Sequence, residues 1–405
     1  MTLPKSRDKF PNKRQTIELG DIFREFGDAY RASRPVPAHH LAVMQAIEGC
    51  RTKELGGCLQ VCEACGVEVP AYRSCRNRHC PKCGWLAQQK WLVARTSEVL
   101  PVGYFHVVLT VPDLLNLLFQ YNQRLMYDML FKAGSETLLE LGADPAHLGG
   151  LIGILAFLHT WGQNLIDHPH LHCIVPCGGL SEDEVEWVYA RKSKKRKKFF
   201  VHVNVISDLF KKKFMAYLVA AYEHGQLQFG GEIAHLADAD EFHRLKRELY
   251  KKTWVTYCKA PFAGAESVLE YLSRYSHRVA ISNHRLVKVE NGRVYFKWKD
   301  YRKGNRYEET SLEVFEFIRR FLLHVLPKGY FRIRYFGLFA SANRRKFRIS
   351  QEILGCVPEP PTDQVPKKTW QDWVEELTDI KPGVCPHCKE GRLVAQESAV
   401  SALPP

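Results

Sequence analysis

The chain has 405 residues, 45% of them hydrophobic and 25% charged, which is the composition of a globular protein and excludes a largely disordered one. Its 58 Lys and Arg outnumber 44 Asp and Glu and give a formal charge of +14, which favours a polyanionic partner. No apolar run is long enough to span a membrane, and the first residues do not resemble a signal peptide. We therefore expect a cytoplasmic protein whose 13 cysteines bind metal and do not form disulfides.

The first 49 residues predict two helices without obvious chemistry. Apolar residues recur at helical spacing over residues 17–30 and 37–48, and Pro35 and Pro37 interrupt the pattern. We assign residues 1–49 to an N-terminal helical region.

Residues 50–95 predict a zinc-binding domain. Two Cys-x-x-Cys pairs are separated by 14 residues, at the edge of zinc-ribbon spacing. The ligands predicted for one structural Zn²⁺ are Cys62, Cys65, Cys80 and Cys83. Those predicted for a second ion are Cys50, Cys58, Cys75 and His79. Between the pairs, Arg76 and Arg78 suit contact with a nucleic-acid backbone, although they could equally form a solvated face.

A third metal site is indicated further along, where two apolar strands surround a polar loop. Residues 170–175 predict a strand on which His170 and His172 share one face, because alternate side chains point the same way. If the preceding strand over residues 151–158 pairs with it, His159 reaches the same face as a third ligand. His106, on a strand predicted over residues 104–111, is the rival third ligand. Three imidazoles on one face favour a metal over chance.

About a hundred residues later, a helix offers nucleophiles. Val268, Tyr271, Leu272 and Tyr275 recur at helical spacing, which usually marks a core-facing stripe. A helix packed over the sheet would also aim both phenols at the histidine face. Arg274 and Arg278 flank the tyrosines, as phosphate-binding side chains would.

Residues 96–340 therefore predict one catalytic domain, followed by a tail over residues 341–405. Asn291 and Gly292 predict a hairpin turn, and Lys299 near its end offers a DNA contact. A basic run over residues 191–198 predicts a surface loop near phosphates. Cys385 and Cys388 form a lone pair in the tail, a weak metal signal unless Cys356 or another chain assists.

The His-hydrophobic-His string resembles the core motif of the HUH endonucleases, and the whole chain resembles the two-tyrosine, rolling-circle insertion-sequence transposases of the IS91 family. The strings that carry the resemblance are Arg78-His79-Cys80-Pro-Lys-Cys83, His168-Pro-His170-Leu-His172, Tyr271-Leu-Ser-Arg-Tyr275-Ser-His-Arg278, Phe317-Ile-Arg-Arg320 and Pro327-Lys-Gly329. Cys58 stands where the family usually has a zinc-domain histidine.

The resemblance implies an α+β fold, in which an HUH endonuclease domain of antiparallel sheet and flanking helices follows a small zinc-binding domain. It also implies catalysis by Tyr271 and Tyr275, catalytic Mg²⁺ or Mn²⁺, and single-stranded DNA at the element ends and target as the partner. A nucleoid-associated bacterial protein is expected, and homo-oligomerisation stays open.

Three alternatives remain at this stage. A plasmid replication initiator or relaxase would share the HUH core, but the zinc module and the tail argue against it. A three-histidine zinc hydrolase would need no tyrosine, and a zinc-dependent DNA-binding regulator would need neither His170 nor Tyr271.

Overall fold

A computed structural model of the chain describes residues 17–96, 98–190, 201–262, 268, 279–300, 306–357, 369–378 and 381–396. It begins with the two predicted helices, α1 (Leu19–Ser33) and α2 (Ala38–Glu48). At the start of α1 the backbone N–H of Glu18 donates to the Asp21 carboxylate over 2.8 Å, which satisfies one of the free amides of a helix N-terminus.

The zinc-binding region contains a β-hairpin followed by a helix. Strands β1 (Gly57–Cys62) and β2 (Glu68–Tyr72) pair antiparallel, and α3 (Gly84–Thr96) leads into the next domain. The first Cys-x-x-Cys pair lies at the turn of this hairpin, and the second lies beyond its open end.

A five-stranded antiparallel sheet forms the centre of the molecule. Its strands are β3 (Tyr104–Thr110), β4 (Gly153–Trp161), β5 (Asp167–Pro176), β8 (Thr256–Phe262) and β12 (Ile333–Gly337). They lie in the order β12-β4-β5-β3-β8, so the two strands that carry the predicted histidine ligands are neighbours. Two short strands, β6 (Gly178–Leu180) and β7 (Trp187–Tyr189), form a separate ribbon.

One face of the central sheet is covered by helices. Leu109 and Leu171 point from β3 and β5 into a core shared with α5 (Gln123–Ala143) and α6 (Val203–Glu223), while α4 (Asn116–Tyr121) and α7 (Ala239–Lys251) complete the layer. Helix α5 runs without a break through Gly134. A Cβ at Gly134 would lie 2.9 Å from Leu109 and 3.0 Å from Leu171, so the glycine lets α5 approach the sheet closely.

The opposite face carries the predicted histidines. Its apolar part packs Phe157 of β4 and Ile174 of β5 against Leu92 of α3. Phe347 of α9 (Arg344–Ile353) packs against the same cluster.

A second sheet joins the N-terminal helices to the central sheet. Strands β9 (Leu286–Glu290), β10 (Arg293–Asp300) and β11 (Arg306–Glu313) share a core with α1, α2 and α8 (Val314–Leu323). Between β9 and β10, Asn291 and Gly292 both have positive φ, which confirms the predicted tight turn. The buried guanidinium of Arg285 donates to the Gln163 carbonyl in the loop between β4 and β5.

The tail returns to the N-terminal region. Helix α10 (Trp370–Thr378) packs against α3, and strand β13 (Leu393–Ala395) adds to the hairpin beside β1. Across the stretches that the structure describes, no helix combines the length and apolar character needed to cross a bilayer. The fold is the predicted α+β class with a helix-flanked antiparallel sheet, and the tail strand was not foreseen.

Candidate active site and metal centres

Three histidines converge on the open part of the sheet face. His159 in β4 lies directly opposite His170 in β5, and His172 follows two residues later on the same face. One ring nitrogen from each lies within 4.8 Å of the others. Their exposed fractions are only 4%, 9% and 9%. The structure thus brings together the three histidines that the strand pattern selected.

The ring of His170 has its orientation fixed by the backbone. Its Nδ1 donates to the carbonyl oxygen of His168 over 2.6 Å, because a carbonyl can only accept. When this ring is neutral, it presents an unprotonated Nε2, which lies 3.0 Å from Nε2 of His172.

His106 of β3 supports His172 from the far side. Its Nε2 lies 2.8 Å from Nδ1 of His172, and the two rings stack with centroids 5.0 Å apart. Burial, reinforced by the charge of Lys259, lowers the pKa of His106 to about 3, so its imidazole is neutral. His106 is not one of the three grouped histidines, but it contacts one of them, His172. The structure therefore does not place His106 as the third ligand, the role for which it was the rival candidate.

The donor set fits a divalent metal ion. When Nδ1 of His172 donates to His106, the Nε2 lone pairs of His170 and His172 face each other, which is unfavourable without a cation between them. Imidazole nitrogens suit Mn²⁺, Fe²⁺ and Zn²⁺ better than Mg²⁺, which prefers oxygen.

The predicted nucleophiles and their flanking arginines, Tyr271, Tyr275, Arg274 and Arg278, lie outside the described residues, as does the basic run over residues 191–198. Val268, which opens the tyrosine stripe, is described and is 1% exposed. It packs in the cluster that contains Phe157 and Ile174, on the sheet face that carries the histidines. Val268 therefore lies over the face that carries the histidines.

A group of four cysteines lies beside the N-terminal helices. The sulfur of Cys50 lies 3.4 Å from that of Cys83 and 3.6 Å from that of Cys80, and Cys75 lies 3.6 Å from Cys83. Four sulfurs around a tetrahedral zinc, each about 2.3 Å from the ion, would be about 3.8 Å apart. The group of Cys50, Cys75, Cys80 and Cys83 therefore fits one zinc ion.

A second group joins the two ends of the chain. The sulfur of Cys62 lies 3.6 Å from that of Cys388, and the sulfur of Cys65 lies 3.8 Å from that of Cys385. All four sulfurs lie within 4.8 Å of one another. The sequence suggested that Cys385 and Cys388 form a lone pair, but in the structure they group with Cys62 and Cys65.

The predicted grouping of Cys62 and Cys65 with Cys80 and Cys83 is wrong for a geometric reason. The first pair lies at the turn of the β1–β2 hairpin, whereas Gly57 pairs with Tyr72 at the open end, near Cys75. A hairpin of this length spans about 16 Å, far more than one zinc ion can bridge.

Two further predicted zinc ligands lie elsewhere. Within the described residues, Cys58 on β1 and His79 belong to neither cysteine group. Burial, with the nearby charges of Arg78 and Arg332, lowers the pKa of His79 to about 3. His79 is therefore a neutral, half-buried side chain and not a member of the predicted second zinc site.

The predicted DNA-contacting residues fall into different environments. Arg76 is exposed, and Lys299 is half-buried on β10. The guanidinium of Arg78 instead turns inward and donates to the carbonyls of Tyr330, over 2.5 Å, and Pro327, over 3.0 Å. The structure thus gives Arg78 a role in joining the zinc-binding region to the segment before β12 of the central sheet, in place of the predicted phosphate contact.

Two family models match the chain. Residues 22–111 match a transposase zinc-binding domain, and residues 153–346 match a family described as "Putative transposase". The chain is 46% identical over 383 residues to "Putative transposase y4qJ" of Sinorhizobium fredii, which covers 94% of this chain and 95% of that protein. It is 27% identical over 338 residues to "Transposase for insertion sequence element IS801" of Pseudomonas savastanoi pv. phaseolicola, covering 82% and 76% of the two chains. No solved structure matches it.

Proposed function

This chain belongs to the IS91 family of transposases, and we propose that it nicks and rejoins single-stranded DNA through a phosphotyrosine bond in rolling-circle transposition. The observation that carries the proposal is the buried group of His159, His170 and His172 on a sheet face against which Val268 packs. A metal-binding group and a tyrosine stripe on one face are the two parts that a tyrosine-dependent nuclease needs.

The three histidines would hold the catalytic metal, with His106 fixing the ring of His172. Mn²⁺ matches this nitrogen-rich set more easily than Mg²⁺, and either ion is compatible with the family. Bound there, the ion would polarise the scissile phosphate and favour ionisation of the attacking phenol.

The chain's own residues would then perform the transfer. A phenol has a pKa near 10, so little phenolate exists at neutral pH without help. The Oη of Tyr271 or Tyr275 attacks phosphorus and loses its proton, while the opposite phosphorus–oxygen bond breaks and the leaving oxygen takes up a proton. The phosphodiester is exchanged for a phosphotyrosine, so a hydroxyl on another strand can reverse the step and no nucleotide cofactor is needed.

Positive charge around the site would hold the DNA backbone. Arg274 and Arg278 flank the tyrosines in sequence, and Arg76 and Lys299 add charge on the zinc-binding region and second sheet. Lys259 pairs in register with His106 on β3, which directs its ammonium group to the histidine face. We propose that the protein acts on the element ends and target in the bacterial cytoplasm.

Two tyrosines suit a reaction in which one strand end stays attached while a second phosphate is cut. The experiment uses purified protein, Mn²⁺ and labelled single-stranded oligonucleotides that span an element end. We expect Tyr271→Phe and Tyr275→Phe each to retain some nicking and to lose most transposition in cells. The double variant should form no covalent adduct on a denaturing gel.

Tyr250→Phe is the matched control, because Tyr250 is an exposed tyrosine on α7, in the helical layer on the opposite side of the sheet, and should be dispensable. An adduct formed by the double variant would refute the assignment. Normal transposition by Tyr271→Phe would make Tyr271 a core residue of the stripe and leave Tyr275 as the nucleophile.

The remaining alternatives predict different products. A hydrolase that transfers the phosphate to water would leave no adduct in the wild type, and a DNA-binding regulator would bind the oligonucleotide without cutting it. A replication initiator or relaxase would form the adduct but would not mobilise a marked element.

A further inference from the structure

We propose that Cys62, Cys65, Cys385 and Cys388 bind a second structural zinc ion, which fastens the C-terminal tail onto the N-terminal zinc-binding domain. The zinc-domain match ends at residue 111 and the transposase match ends at residue 346, so half of this ligand set lies beyond both. We call these four residues the terminal clasp.

The four sulfurs of the terminal clasp have the spacing of a tetrathiolate site. The separations of 3.6 Å and 3.8 Å agree with the value of about 3.8 Å for tetrahedral zinc, and they exceed the bond length of about 2.05 Å in a disulfide. Thiolate ligands select zinc over magnesium or calcium.

The backbone of the tail is shaped around these sulfurs. The N–H of His387 lies 3.4 Å from the sulfur of Cys385, and the N–H of Gly391 lies 3.3 Å from that of Cys388. Donors of this kind stabilise negative thiolates. A Cβ at Gly391 would lie 2.4 Å from the sulfur of Cys62, so only glycine fits this turn.

Strand pairing holds the tail on the C-terminal side of its two cysteines. Cys62 of β1 pairs in register with Leu393 of β13, and the N–H of Glu63 donates to the carbonyl of Arg392 over 3.0 Å. A three-residue strand is too short to hold a tail by itself. A metal that closes a loop of 320 residues supplies the missing constraint, because joining distant points of a chain restricts the unfolded state strongly.

The tail also reaches the histidine-bearing side of the central sheet, through α10 and α3. Helix α10 of the tail packs against α3. On α3, the indole of Trp91 meets the ring of Phe157 edge-on with centroids 6.2 Å apart. Phe157 pairs in register with His172. The tail is thus braced against the helix that covers the histidine-bearing face.

The first test measures thiol protection in the wild-type, full-length protein. Native protein is treated with N-ethylmaleimide before and after zinc removal by a chelator, and modified cysteines are identified by mass spectrometry. Cys65 is exposed, so its thiol should react at once if no metal holds it. We expect all four clasp thiols to be protected until zinc is removed, and the half-buried Cys58 and Cys356 to react independently of zinc.

The second test counts zinc in variants by elemental mass spectrometry. The double variant Cys385→Ser/Cys388→Ser should contain one equivalent less than the wild type, as should Cys62→Ser/Cys65→Ser. Cys356→Ser, the control in the same part of the chain, should contain as much as the wild type. Hydrogen exchange should rise in β13 and α10 of the tail double variant and stay unchanged in β5.

Rapid alkylation of Cys65 and Cys388 in untreated wild-type protein, or unchanged zinc in the tail double variant, would overturn the proposal. An intact protein mass lower by two hydrogens would also overturn it, because it would show that a disulfide, and not zinc, joins these cysteines. Neither readout depends on DNA cleavage, so the terminal clasp and the phosphotyrosine reaction can fail separately.

Discussion

The histidine group and the cysteine groups of this transposase gather their ligands in different ways. His159, His170 and His172 come from 14 consecutive residues on two adjacent strands, where antiparallel pairing places them together. The terminal clasp brings together Cys62 and Cys388, which are 326 residues apart. A site built within one strand pair follows from the local pattern, whereas a site built between chain ends depends on the entire fold.

The largest effect should come from the cysteine group beside the N-terminal helices. Cys50 and Cys80 are each 1% exposed and share a core with α1, α2 and the second sheet. Zinc-finger peptides gain about 10–16 kcal/mol from zinc, so Cys80→Ser should unfold this region outright. Thermal unfolding followed by circular dichroism and limited proteolysis would measure the loss.

Cys58→Ser is the matched control for this prediction. Cys58 lies on β1 outside both groups, so its replacement should change stability by less than about 1 kcal/mol. Equal damage from Cys58→Ser and Cys80→Ser would mean that the two cysteines share a site and that the grouping is incorrect.

The next largest effect should come from the histidine group, where a substitution should remove activity and leave stability unchanged. His172→Ala should leave zinc content and melting temperature near those of the wild type but remove cleavage of single-stranded DNA. Several kcal/mol of transition-state stabilisation would be lost, which is more than about a thousandfold in rate. The measurement is single-turnover cleavage in Mn²⁺, and DNA binding, measured in parallel, should persist because it depends on Lys and Arg.

Retained cleavage by His172→Ala would remove the basis for the catalytic metal. His159→Ala should behave like His172→Ala if His159 is the third ligand. Full activity of the His159→Ala protein would show that another side chain near the site is the third ligand.

The sequence predicted those parts of the molecule that short-range rules control. The α1 and α2 helices, the strand pair β4–β5 and the Asn291-Gly292 turn follow from periodicity and turn chemistry. The sequence did not reveal β8, a strand at the edge of the sheet that contains Tyr257 and Lys259, because its order in the sheet depends on contacts distant in sequence. The partner of the tail cysteines could not be predicted for the same reason.

The same distinction explains the two reassigned side chains. Arg78 lies in a basic cluster that resembles a DNA-binding surface, yet the carbonyls of Pro327 and Tyr330 that accept its hydrogen bonds are about 250 residues away, as the separations of 249 and 252 show. His106 was recognised as a candidate ligand, but only the register between β3 and β5 shows that its ring supports His172. In both cases the sequence revealed a residue type suited to a site, but it did not reveal which residue the side chain contacts.

A smaller effect should come from His106 itself. His106→Phe would keep a ring stacked on His172 but remove the nitrogen partner of its Nδ1. Loss of such a supporting group typically costs 10–100-fold in metal affinity. The Mn²⁺ concentration for half-maximal cleavage should therefore rise by about that factor, while the rate at saturating Mn²⁺ should largely recover.

His106→Gln, which keeps a polar group near His172, should be less affected than His106→Phe. A low rate that does not recover at any Mn²⁺ concentration would instead make His106 a direct participant. The two variants thus separate support of a metal ligand from catalysis.

The smallest expected effect concerns Asp167, which anchors the start of β5. Gln120 donates to its carboxylate and Asn116 donates to its carbonyl, each over 2.9 Å. Burial raises the pKa of Asp167 from 3.8 to about 6. The protonated form is therefore favoured in the folded state, and its stabilising contribution is fully present below pH 3.8 and is lost as the pH rises through about 6.

Asp167→Asn imitates the protonated carboxyl and can still accept the bond from Gln120. The melting temperatures of variant and wild type should be close near pH 4, and the variant should melt higher by up to a few degrees near pH 8. Differential scanning calorimetry across this range measures the difference. A variant that melts lower near pH 8 would show that the carboxylate is ionised and held by the charge of Arg319, and the anchor of the histidine strand would then be an ion pair.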